Sequence, residues 1–285
     1  MDPVSCASAE IPPHRHDLVT LQARGRLGLG VGLGGGWQAV AALPAERRRV
    51  DVTYTTLDGR AYEPPYADIH HRDEVVAGLA DGALGARWVG RAGPGLLSAE
   101  AGASLPFGQT AADPYLAAAQ GRWHQHNQLG VGVPVPQGAL AWFGRPAPWA
   151  PVALGSARVP VVANARGFRA PRTATLAAGA ARRLGPRAVG LLTAEAVVEG
   201  PEVWNGVRHG GRQAAVVNLG TDHALAGGWS WQADLRLPLA QHLAHDHGPG
   251  ADDDAGRLRL GPFVGLSAAW TSPRGAAPRA AAAPP

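Results

Sequence analysis

Residues 21–33 read LQARGRLGLGVGL. Leu21, Ala23, Leu27, Leu29, Val31 and Leu33 hold the odd positions; Gln22, Arg24, Arg26, Gly28 and Gly30 hold the even ones. A period of two sends the two sets to opposite faces of a β-strand. One face is apolar without interruption, and the other carries guanidinium, amide or no side chain at all.

The same period recurs along the chain. Leu97, Ala99, Ala101, Ala103 and Leu105 oppose Ser98, Glu100, Gly102 and Ser104. Trp229, Trp231, Ala233, Leu235, Leu237 and Leu239 oppose Gln232, Asp234 and Arg236. Leu258, Leu260, Val264, Leu266, Ala268 and Trp270 oppose Arg257, Arg259, Gly261, Gly265 and Ser267. In HQHNQLGVGV (124–133) the period sends Leu129, Val131 and Val133 outward and His124, His126 and Gln128 inward. A helical repeat is not sustained, because glycine and proline break nearly every window.

These strands are long, roughly 10 to 17 residues, where ordinary strands run nearer 5 or 6. A tilted strand crossing a bilayer needs about 9–11 residues, and its backbone must be paired throughout, which demands closure. The fold class is therefore all-β, an antiparallel up-and-down transmembrane β-barrel. A secreted soluble barrel or sandwich binding an apolar ligand is the alternative; it requires an apolar interior and charges outside.

Short turns at 32–37, 91–95, 144–149, 183–188 and 225–229 alternate with long polar connections at 56–73, 107–123, 162–172, 200–212 and 242–256. Short turns on one side and long loops on the other are the habit of outer-membrane barrels. Eleven strands result, near 17–33, 37–55, 74–90, 95–106, 124–143, 150–161, 172–183, 187–199, 213–223, 229–241 and 257–271. Strand two carries Pro44 and a change of phase between Leu43 and Val50, the mark of a bulge. Bacterial single-chain barrels have even counts, so about 12 strands are expected, with the first strand and a secretion leader upstream of residue 1. The expected organisation is an irregular N-terminal remnant over 1–16, the barrel over 17–272 and an unstructured Ala/Pro tail over 273–285.

The chain has 285 residues, a net charge of +4 and one cysteine, Cys6, so it forms no internal disulfide. Its arginines are scattered beside turns instead of gathered on one face, which argues against nucleic acid as a partner.

Three stretches carry a family likeness: SLPFGQTAADPY (104–115), RVPVVANARGFRAPRT (158–173), and the strand-ending steps of LPFG, VPVVAN and LPLAQH. With the repeated strand–turn–strand pattern, the chain resembles the transporter or porin-like bacterial outer-membrane β-barrels of unassigned substrate. The resemblance implies an outer-membrane location, a lipid bilayer as surroundings, outer-membrane assembly machinery as a partner, and passage or capture of small solutes.

Lumen residues expected from parity are Arg24, Arg26, Glu100, Arg158, Glu195, Asp234, Arg236 and Arg259, either as a ladder of ion pairs or as a charge filter. Ten of the eleven histidines fall in or beside the long loops. His70, His71, His124 and His126 form the candidate metal site at the outer mouth, suited to Zn, Cu or Ni; no cofactor is otherwise required. No nucleophile–base pair or nucleophile elbow is present, so the reading is non-enzymatic, with a barrel-borne membrane enzyme as a further alternative.

Overall fold

The computed structural model describes residues 14–63, 73–120, 122, 127–145, 148–243 and 261–272. The first strands are β1 (His14–Gly34), β2 (Trp37–Thr56), β3 (Glu74–Leu79), β4 (Gly82–Ala92) and β5 (Gly95–Leu105). A short helix α1 (Pro114–Ala119) precedes β6 (Val135–Phe143) and β7 (Ala150–Arg158). Then come β8 (Phe168–Arg169), β9 (Thr173–Gly185), β10 (Ala188–Glu199), β11 (Glu202–Trp204) and β12 (Val207–His209). The chain ends in β13 (Arg212–Ala224), β14 (Trp229–Leu243) and β15 (Phe263–Trp270).

One antiparallel sheet runs β1-β2-β4-β5-β6-β7-β9-β10-β13-β14-β15, with β3 beside β2. Strands β3 and β4 form a single stave. Val50 to Ala45 pair with Glu74 to Leu79, and Ala42 to Trp37 pair with Ala83 to Trp88. Leu43 and Pro44 therefore stand against Ala80, Asp81 and Gly82, two residues against three. The bulge expected in strand two lies in its partner, while β2 itself keeps an unbroken register with β1 from Thr56 to Gln38. Pro44 has no N–H for a ladder, so this is where a bulge costs least.

The phase change in β2 has a different cause. Arg47 and Arg49 are exposed on the outward face while Val50 and Tyr54 are buried on the inward one. Beyond Ala45 the strand carries charges where it had presented Leu43 to lipid.

Eleven staves make the wall of the described residues, as the alternation of loops implies, and β1 and β15 both run from the long-loop side to the short-turn side. The twelfth strand expected upstream, and the tail over 273–285, lie outside the described residues. The wall nonetheless curls on itself: Arg158 on β7 is within electrostatic reach of Arg24 on β1, five staves away along the sheet.

The exterior is apolar. Leu27 is 76% exposed, Leu176 70% and Leu266 80%. In water each such leucine would forfeit about 1.5–3 kcal/mol of burial, so a continuous band of them is a surface made for hydrocarbon. Toward the short turns the band ends in tryptophans: Trp37 pairs across strands with Trp88, and Trp229 with Trp270. Indole N–H groups of Trp142 and Trp270 donate to the carbonyls of Ala92 (3.3 Å) and Gly227 (3.2 Å). Amphipathic rings at this height form the aromatic belt of a membrane interface. The β1–β2 turn is as tight as its glycines suggest, with φ of 91°, 57° and 84° at Gly34, Gly35 and Gly36.

Three of the differences between expected and observed strand boundaries bear on the fold. β1 begins at His14, inside the expected remnant, and β15 runs from Phe263, its expected first residues 257–260 lying outside the described residues. The third difference is the larger. Residues 127–134 are irregular, and β6 starts only at Val135. Gly132 adopts φ 79°, which ends extended structure, and Pro134 and Pro136 cannot donate to a ladder. Leu129 does not face lipid; it is 5% exposed and packs on Val76 and Ala80. An alternating Gly/Val run in a loop imitated a strand.

Candidate functional site

The interior is lined by the even-numbered set of β1 and its neighbours in register. Gln22 donates to Glu46 (2.7 Å), and Glu46 also pairs with Arg48. Arg87 on β4 donates through Nε (2.9 Å) and an η-nitrogen (2.7 Å) to one oxygen of Glu100 on β5. Glu195 on β10 pairs with Arg236 on β14, and Glu199 with Arg212 on β13 at 3.0 Å. Charge-assisted pairs of this kind are the stronger class of hydrogen bond, and they tie staves together across the lumen wall.

One concavity of about 200 Å³ opens on this face between β1 and β6. Gly30, Val40, Gly85 and Gly102 share one cross-strand row and form its floor. Arg26, the Arg87–Glu100 pair and Gln137 surround it. At Gly85 and Gly102 a β-carbon would lie 2.6 and 2.2 Å from backbone oxygens, so the floor cannot be raised.

Above it, the long connection between β5 and β6 folds against the inner wall. Asp81, at the bulge, is its anchor, accepting from the N–H groups of Gly108 (3.0 Å) and Val131 (2.7 Å). Asn127 donates to Glu74 at 2.6 Å. Asn164 donates to the Val131 carbonyl (2.8 Å) and accepts from the N–H groups of Arg166 and Phe168, joining the next connection to the first.

Higher still, β12, β11 and β8 form a separate three-stranded sheet. Asp113 caps α1 by accepting from the N–H groups of Tyr115 and Leu116, both at 3.0 Å. The Tyr115 ring stacks on His209 with centroids 3.6 Å apart. Its hydroxyl (3.3 Å) and the Trp204 indole N–H (3.1 Å) both donate to Glu202. Burial pushes the Glu202 carboxyl up, against the pull of those two donors. Burial, then the charge of Glu202, raises the Tyr115 phenol well above its ordinary range.

Of the expected lumen residues, Arg24, Arg26, Glu100, Arg158, Glu195, Asp234 and Arg236 all share the inward face, and Glu195 and Arg236 meet. Arg259 lies outside the described residues, as do His70, His71, His124 and His126. Among the described residues no three His, Cys, Asp or Glu side chains gather to hold a metal. Gln22 was on the polar face of β1 but not among the expected lumen residues, and Glu46, Arg48 and Gln137 escaped notice although parity places them inward. Tyr115, Glu202 and Asn164 sit in connections, where no period marks them.

No family model and no curated protein matches the chain. Solved structures do. The COG4313 outer membrane channel from Pseudomonas putida F1 superposes with a TM-score of 0.54 over 79% of this chain and 78% of that one, at 13% identity. The fold is that of bacterial outer-membrane β-barrels. The leucine band and tryptophan belt are the surface such a barrel turns to the outer membrane. OmpT of Vibrio cholerae, with a loop deleted, aligns over 80% of this chain and 94% of that one, at 10% identity and a TM-score of 0.37. The non-enzymatic reading drawn from missing motifs is corrected here: the likeness to solved structures is one of barrel fold, and a shared barrel fold does not decide between transport and catalysis.

Proposed function

We propose that this barrel is a conduit for small polar solutes across the outer membrane, narrowed by the connection anchored on Asp81. The concavity beside Arg87 and Glu100 is the stretch of wall that the solute touches. The carrying observation is the inversion of polarity, with paired Arg and Glu on the inner face and leucine on the outer. A barrel of this size is wide enough for a small solute and narrower than an open porin. An apolar-ligand carrier would need the opposite arrangement.

The test is conductance of the purified full chain in planar bilayers. Discrete current steps are expected. Glu100→Gln leaves Arg87 unpaired and shifts the reversal potential toward anions; Arg87→Gln leaves Glu100 unpaired and shifts it toward cations. A folded barrel that passes no current, or variants that shift the potential the same way, would end this reading.

A further inference from the structure

The outer face of β9, β10, β13 and β14 carries a trough of about 630 Å³, within the range of small-molecule sites. The pairing register explains it. Arg182, Gly190, Thr221, Ala233 and Leu266 form one row across five staves. Between its ends the row is small: Gly190, Thr221 and Ala233 leave a channel in the surface. The next row toward the outer mouth is Leu192, Leu219, Leu235 and Val264, which makes a tall apolar wall. On the other side stands Leu184, whose side chain comes within 3.1 Å of where a Gly190 β-carbon would be. One row nearer the turns, His223 stacks on Trp231 at 4.1 Å.

One end of the trough is charged. Arg182 points outward from a wall that is otherwise apolar, with its guanidinium 5.1 Å from the centroid of the Trp149 ring. Among the described residues no carboxylate pairs with it on this face. It lies at the height of the tryptophan belt, where membrane headgroups begin. Arginine in that position offers a planar fork of donors that matches a phosphodiester.

We propose that this trough is a binding site for one phospholipid of the leaflet on the short-turn side. Its phosphate sits on Arg182 beside Trp149, and one acyl chain lies along Gly190, Thr221 and Ala233. The site is on the lipid face, on the opposite side of the wall from the conduit, and does not depend on it.

Native mass spectrometry of the full chain in non-ionic detergent, titrated with phosphatidylglycerol and separately with diacylglycerol, tests it. One phosphatidylglycerol per chain is expected, held at least tenfold more tightly than diacylglycerol. Arg182→Gln should remove that tenfold difference and leave diacylglycerol unchanged. Ala233→Leu should fill the trough and weaken both by a similar factor, while Leu84→Ala, on a distant face, changes neither. Each variant is first checked for the wild-type heat-modifiable gel shift; if Arg182→Gln does not fold, Ala233→Leu with the two lipids decides. Equal affinity for the two lipids, or phosphatidylglycerol binding untouched by Ala233→Leu, overturns the proposal.

Discussion

Leu27→Arg measures how deep the apolar band sits. Leu27 is 76% exposed on β1 and pairs in register with Leu43, far above the Trp37 belt and below the outward charges of Arg47 and Arg49. That position is close to mid-membrane. An arginine on the lipid face of a barrel costs about 2–4 kcal/mol at the midplane and about 0–1 kcal/mol near an interface. Losing the leucine adds about 1.5 kcal/mol at the lower end of its burial value. The expected loss is therefore about 3.5–5.5 kcal/mol, and about 1.5–2.5 kcal/mol for Leu33→Arg beside the short turn. Gly28→Gln, one residue away but facing inward, has only the Ala41 carbonyl near its new β-carbon, at 3.9 Å, and should change stability by less than about 1 kcal/mol. Reversible denaturant unfolding in phospholipid vesicles reads all three. Equal losses at positions 27 and 28, or at 27 and 33, would refute the reasoning.

Three further outcomes follow from the loops. Asp81→Ala removes an ionised acceptor from two backbone N–H groups, each bond contributing about 1.5–3 kcal/mol; limited proteolysis should then cut within 107–131 many times faster, with the barrel intact. The Glu202 carboxyl, raised by burial, is neutral when the outer cluster is tightest, so that stability is present at low pH and is lost as pH rises through its raised value. Amide exchange over 202–209 should accelerate accordingly, and Glu202→Gln should flatten that pH dependence. Asn164→Ala should free the 131 and 164–168 segments together, seen as joint loss of exchange protection at Val131 and Phe168.

The wall was legible because a bilayer imposes one simple rule. Lipid outside and water inside force a strict period of two, and residues 21–33 of β1, 97–105 of β5, 229–237 of β14 and 264–270 of β15 obey it. From that parity Arg24, Glu100, Glu195 and Arg236 could be placed on the inner face before any contact was known. Partnership was less visible, since Glu195 meets Arg236 across two ladders whose registers the sequence does not state. Within the connection between β5 and β6, residues 127–134 were misread as strand because Gly130 and Gly132 mimic small inward residues between Leu129, Val131 and Val133. Its order comes from Asp81, about fifty residues earlier, and from Asn164, about thirty residues later. The clue present was local: Pro134, which has no N–H for a ladder, falls immediately before the first residue of β6.

Cysteine scanning of residues 26–31 on β1, in a Cys6→Ser background and in intact proteoliposomes, tests the inversion of polarity most directly. A membrane-impermeant, water-soluble maleimide should label positions 26, 28 and 30 and spare 27, 29 and 31, which should react only with a lipid-soluble reagent. Labelling of 27, 29 and 31 from water, with 26, 28 and 30 protected, would contradict the account.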